Sequence, residues 1–145
     1  PRAPDASALV ARFEPFVAEL SAHARRIEWV AQVPVMPGEN QINLREYVTW
    51  LTRSGRTRSG RDLPALAPDA RDPLRQQIAA AVEQLAARTP SLHVLRADRP
   101  FYLADGTIRY ADGRGFLYAD NNHLSDAGAE IVRNQFRAAI AATSR

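Results

Sequence analysis

Phe116-Leu117-Tyr118-Ala119-Asp120-Asn121-Asn122-His123-Leu124-Ser125 is an apolar run that stops, a polar turn, and the entry to a helix. Asp120 and His123 stand three residues apart where a strand end passes into a turn, so one tight bend returns the carboxylate to the imidazole. An Asp bonded to Nδ1 fixes the tautomer and stabilises the imidazolium, leaving Nε2 free to take a proton from a hydroxyl nucleophile. Ser125 has the chemistry of a helix N-cap rather than of a nucleophile. Beyond it Ile131, Val132, Gln135, Phe136, Ala139 and Ile140 recur at the spacing that lines one side of a helix. Strand, chemistry-bearing loop, helix is the order of an α/β sheet, whose ligands bind beyond the carboxyl ends of the strands.

The chain N-terminal to this stretch repeats that order. Ala104-Asp105-Gly106 and Ala111-Asp112-Gly113 are two Asp-Gly turns, the first predicting a hairpin between Phe101-Tyr102-Leu103 and Ile108-Arg109-Tyr110. Ser91 to Ala97 alternates as a short strand, and Pro90 ends the helix before it. That helix opens at Asp72-Pro73, with Asp read as the cap and Pro in the first turn. Leu74, Ile78, Ala81, Val82 and Leu85 give its buried face. Ile27 to Val35 reads as a buried parallel strand, ended by Met36-Pro37-Gly38. The first element is a helix, with Leu9, Val10, Phe13, Phe16, Val17, Leu20 and Ala24 on one face and Pro15 expected to kink or split it. Leu44 to Leu51 reads as a further short helix.

With 145 residues, 46% hydrophobic and 24% charged, the chain has the size and composition of one globular unit, which argues against disorder. The apolar runs are far shorter than the ~20 residues of a spanning helix. No cysteine is present, so there is no disulfide or thiolate site. The net charge of +3 comes from arginine without lysine, a compositional bias that does not indicate nucleic acid. Beginning at Pro1, without Met, the chain reads as a processed or excised product.

Asp120-x-x-His123-Leu124-Ser125, with Phe116-Leu117-Tyr118 before it and Gly128-Ala129 and an amphipathic helix after it, resembles the last sequence block of SGNH hydrolases. More narrowly, it resembles the SGNH domain fused behind the membrane acyltransferase-3 domain in bacterial O-acetyltransferases of cell-surface polysaccharides. The resemblance implies a three-layer α/β/α sandwich with a parallel sheet, SGNH- or flavodoxin-like, of which residues 1–145 form the C-terminal portion. It implies Asp120 and His123 as two members of a Ser-His-Asp triad and a function in O-acyl transfer or ester hydrolysis. The partners implied are an acyl donor, a glycan acceptor, the N-terminal half of the SGNH domain and a membrane acyltransferase-3 domain. The location implied is the periplasmic face of the bacterial inner membrane. In that family the nucleophile sits in a Gly-Asp-Ser block, which this chain lacks, so the isolated chain is expected to be inactive. Gly38-x-Asn40 echoes an oxyanion block, but Gln41 replaces its Asp and the Pro-Gly turn explains it better.

The remaining polar features have structural readings. His23 lies near the end of the first helix, where a cation suits the dipole, and His93 alternates with Leu92 and Val94 on a strand. Three histidines so scattered do not form a metal set, and no cofactor is expected. Thr52 to Asp62, with Arg53, Arg56, Arg58 and Arg61 among Ser, Thr and Gly, reads as an exposed, mobile loop. The competing function is a noncatalytic glycan-binding or accessory domain that docks an anionic glycan on those arginines.

Overall fold

A computed structural model describes residues 5–36, 46, 49, 53 and 65–143 of the chain. Gly38, Asn40 and all of the arginine-rich loop except Arg53 lie outside the described residues. Arg53 itself has helical backbone and is exposed, and Glu46 and Thr49 of the expected short helix are also helical. The chain divides into two compact units. One comprises residues 1–32, 71–97 and 135–145, the other 33–70 and 98–134.

The first unit contains α1 (Ala6–His23), β1 (Ile27–Val30), α2 (Asp72–Ala87) and β2 (Leu92–Leu95). β1 and β2 pair in parallel, Ile27 opposite Leu92 through Val30 opposite Leu95. This is the parallel α/β arrangement that the two apolar runs predict, although each strand is four residues long and ends earlier than the apolar pattern. One more bond, Ala31 N–H to the Leu95 carbonyl at 2.9 Å, closes the ladder. The core joins Val10 and Val17 of α1 to Val82 and Leu85 of α2 and Leu92 of β2, with Phe13, Trp29 and Ile78 against it. Three-residue and four-residue steps bring Val10, Phe13 and Val17 onto one face, whereas Leu9 and Phe16 of the same apolar series remain 40% and 51% exposed.

Pro15 neither splits nor ends α1, which runs through it. Proline removes one i→i−4 bond and crowds the carbonyl of Ala11. Both residues lie on the exposed side, where water can satisfy that carbonyl, while Val10 and Val17 hold the helix on either side of the defect. At the start of α1 the Asp5 carboxylate caps the Ser7 N–H at 3.0 Å. α2 begins differently from the expected cap: Arg71 is its N-cap without a side-chain bond, and Asp72 is the first helical residue, with Pro73 next. A carboxylate one position inside the helix still meets the positive end of the dipole. At the other end of this unit Arg96 binds Glu83 at 3.1 Å and Gln76 at 2.9 Å, tying the exit of β2 to α2.

The second unit is built from turns. A 3-10 turn (Arg99–Phe101) precedes the bridge Tyr102 to Ile108, so the predicted hairpin forms, reduced to one antiparallel pair. Leu103 N–H bonds Thr107 O at 2.9 Å, and Gly106 takes the positive φ of 81° that the turn requires. The second Asp-Gly turn joins β3 (Ala111–Asp112) to β4 (Gly115–Phe116), an antiparallel pair. Phe101, Ile108, Leu117 and Tyr118 are buried here, and the Phe101 and Tyr118 rings meet edge to face at 5.6 Å. Backbone bonds tie the turns together: Ile108 N–H to the distant Leu66 O at 2.7 Å and Leu117 N–H to Tyr110 O at 2.8 Å. The last helix, α3 (Asp126–Thr143), starts in this unit. Of its expected apolar side Val132 is buried, but Phe136 and Ile140 are 39% and 65% exposed. Among the described residues no helix is long and apolar enough to cross a membrane.

Candidate active site

Tyr118 and Leu124 face each other across an isolated antiparallel bridge, and Ala119 N–H donates to the His123 carbonyl at 2.8 Å. These contacts pinch residues 119–123 into a closed loop, and the loop is what brings Asp120 to His123. Oδ1 of Asp120 accepts the backbone N–H groups of Asn122 at 2.8 Å and His123 at 2.7 Å. That is the local turn an Asp side chain forms with the backbone two and three residues on. Oδ2 is thereby aimed at the His123 ring and lies 2.6 Å from Nδ1. With an ionised carboxylate as acceptor, Nδ1 carries the proton and Nε2 keeps its lone pair.

The three bonds favour the carboxylate form. The Asn122 N–H is foremost in holding the Asp120 carboxyl below its ordinary range; the His123 ring and backbone N–H add to this, and partial burial opposes it. The dyad lies open: the His123 side chain is 73% exposed and that of Asp120 41%. An imidazole so placed can exchange protons with anything that docks against the loop.

Two further contacts fix the loop. Met36 N–H bonds the Asn121 carbonyl at 2.9 Å, a strut from a segment 85 positions away by the residue numbers. Behind His123, Ser125 acts as the N-cap: its Oγ donates to Phe116 O at 2.6 Å and accepts Gly128 N–H at 3.2 Å. Its carbonyl also takes the first helical bond, from Ala129 N–H at 2.8 Å. Both roles of the hydroxyl are used, which agrees with a cap and leaves no free nucleophile there. Gly128 is required by proximity, since a Cβ at that position would lie 2.0 Å from the Leu117 carbonyl oxygen. The helix is thus seated directly on the strand-like segment that feeds the loop.

The other histidines stand apart from this loop in the chain. His23 is in the last turn of α1 and His93 is on β2. Sequence reasoning missed the Met36 strut and the close approach at Gly128. It also missed a cavity of about 790 Å³ beside the loop, lined in part by Arg114, Phe116, Leu124 and Asp126. No local pattern announces a contact between distant segments.

A parallel strand pair packed with helices, and an Asp-x-x-His loop leading into the final helix, define an α/β domain. The chain belongs to the family of SGNH domains fused to AT3 domains, whose family model matches residues 2–138. No curated protein matches the chain.

Proposed function

We propose that this chain supplies the His and Asp of a serine-dependent O-acyl transfer site that modifies a bacterial cell-surface polysaccharide. The observation that carries the reading is the 2.6 Å contact between Asp120 Oδ2 and His123 Nδ1 within a loop that itself orients the carboxylate. Family membership supports acyl transfer or ester hydrolysis as the chemistry.

In this mechanism His123 Nε2 takes the proton of a serine hydroxyl as its Oγ attacks the acyl carbonyl of the donor. The tetrahedral intermediate collapses, the imidazolium returns the proton to the departing group, and an acyl-serine remains. An acceptor hydroxyl then gives its proton to Nε2 while attacking that ester, and the serine leaves with the proton restored. Asp120 orients the ring throughout and stabilises its charged form. The serine and the oxyanion donors come from polypeptide outside this sequence, because no Gly-Asp-Ser occurs in it. That polypeptide also supplies cover for the open imidazole. A membrane AT3 domain is the partner that passes the acyl group, on the periplasmic face of the inner membrane.

The test is acyl transfer from an activated acetyl ester by the assembled protein, comparing wild type with His123→Ala. General-base assistance supplies about 10²–10⁴-fold, so the variant should fall by that factor. Wild-type turnover in His123→Ala would overturn the assignment.

A further inference from the structure

The cavity beside the dyad loop is lined by two charged side chains with bonding capacity to spare. Arg114 holds Asp112 through Nη2 at 2.7 Å and through Nε, while its Nη1 makes no hydrogen bond among the described residues. The Asp126 carboxylate makes neither a side-chain hydrogen bond nor an ion pair among them. Both residues line the cavity, together with the apolar side chains of Phe116 and Leu124. At about 790 Å³ it falls in the size range of small-molecule sites, which combine apolar walls with a few placed polar groups.

The charges select among ligands. Arg114 contributes one positive charge and Asp126 one negative charge to the lining; Asp112 is shared between Arg114 at 2.7 Å and Arg109 at 3.2 Å, so the four side chains sum to zero. An anion would find no unpaired cation here and would face the Asp126 carboxylate. A hydroxyl-rich neutral molecule fits better: one hydroxyl oxygen accepts from Nη1, another O–H donates to Asp126, and a C–H face packs on Phe116. Ala119 and Leu124, which immediately precede Asp120 and follow His123, also line the cavity. A ligand seated there therefore touches the loop that carries the dyad.

We infer that this cavity is a subsite for an uncharged pyranose unit. Its role as the acceptor site rests on the acyl-transfer reading above, but the binding itself does not. Arg114 and Asp126 determine its specificity, and the missing net charge discriminates against acidic sugars.

The experiment titrates the 145-residue chain with methyl glycosides of a neutral hexose, an N-acetylhexosamine and a hexuronic acid, following backbone amide shifts. Saturable shifts are expected at Phe116, Ala119 and Asp126 with the neutral glycosides, unchanged by salt. Arg114→Lys keeps the pairing with Asp112 but loses the second nitrogen, and Asp126→Asn weakens the acceptor. Each should weaken binding about tenfold, the scale of one lost hydrogen bond to a charged group. Spectra elsewhere in each variant should overlay the wild type. Three outcomes overturn the inference: no saturable shift with any neutral glycoside, a preference for the hexuronic acid that fades with salt, or wild-type affinity in both variants. Acyl transfer is measured separately in the assembled protein, so loss of one reading leaves the other standing or falling on its own result.

Discussion

Replacing Asp120 by Asn exchanges one carboxylate oxygen for an amide nitrogen in a side chain whose two oxygens have separate partners. Oδ1 receives two backbone N–H groups at 2.8 and 2.7 Å, and Oδ2 faces His123 Nδ1 at 2.6 Å. If the Asn carbonyl takes the Oδ1 position, both backbone bonds survive and the amide NH₂ points at Nδ1. Turned the other way, the NH₂ would confront two N–H donors and lose two bonds, each worth roughly 0.5–1.5 kcal/mol. The first orientation wins, and it forces Nδ1 to accept. The ring proton then moves to Nε2, which can no longer take one from a hydroxyl. The fold should change little, by within about 0.5 kcal/mol as for most exposed sites. Acyl transfer in the assembled protein should fall on the order of 10⁴-fold, the scale of a triad with the wrong tautomer. Long-range ¹H–¹⁵N correlation of the neutral His123 ring reads the tautomer directly in the isolated chain. An unprotonated Nε2 in Asp120→Asn, or a loss of transfer below tenfold with the fold intact, would refute the reasoning.

Gly128→Ala sets two effects against each other. Alanine gains about 1 kcal/mol of helix propensity over glycine, but its Cβ would stand 2.0 Å from the Leu117 carbonyl oxygen. Overpacking of this kind costs about 1–3 kcal/mol, so the thermal midpoint should fall; a rise would disprove the close approach. Ser125→Ala removes the cap bonds to Gly128 and Phe116 and should cost about 0.5–2 kcal/mol, measured by denaturant unfolding. Transfer by the assembled protein should survive that change within tenfold, and its abolition with the fold intact would make Ser125 the nucleophile instead. The Asp120 carboxyl, held below its ordinary value of 3.8 first by the Asn122 N–H, gives a pH test. Because the folded value is the lower one, its stabilisation of the loop is fully present above the unfolded value and fades as pH drops through the folded value. The Asn122 and His123 amide shifts should therefore titrate with a midpoint below 3.8, and a midpoint at or above it would contradict the hydrogen-bonded loop.

Much of this was legible in the residues because it depends on short-range periodicity. The strands at Ile27 and Leu92 and the helices between and before them follow from apolar spacing, and their parallel pairing follows from the helix that separates them. The Asp120–His123 contact was readable for the same reason, being closed within four residues. What local pattern hid is long-range. Phe16 and Ile140 look like core residues in sequence yet stand exposed, since periodicity gives a face without its partner. Asp72 looks like a cap and is helical because the helix begins one residue earlier than the Asp-Pro signal implies. The Met36 strut and the cavity between β4 and the start of α3 depend on where the turns of residues 98–125 run, and turn chemistry fixes each bend without fixing their sum.

The double use of Asp120 has a consequence for how such a loop can change over generations. Oδ1 builds the bend and Oδ2 aims the ring, so selection on shape and selection on chemistry act on one side chain. Asn can preserve the first task while abolishing the second; Glu keeps the charge but adds a methylene that displaces both oxygens. If the dyad has the proposed role, Asp120→Asn is therefore a single step that removes the ring's orientation while leaving the bend in place. The ten residues from Phe116 to Ser125 contain the bridge, the dyad and the cap, which makes them a portable cassette: fitted between a strand end and a helix start, with a glycine three residues past the cap, they carry an oriented imidazole with them.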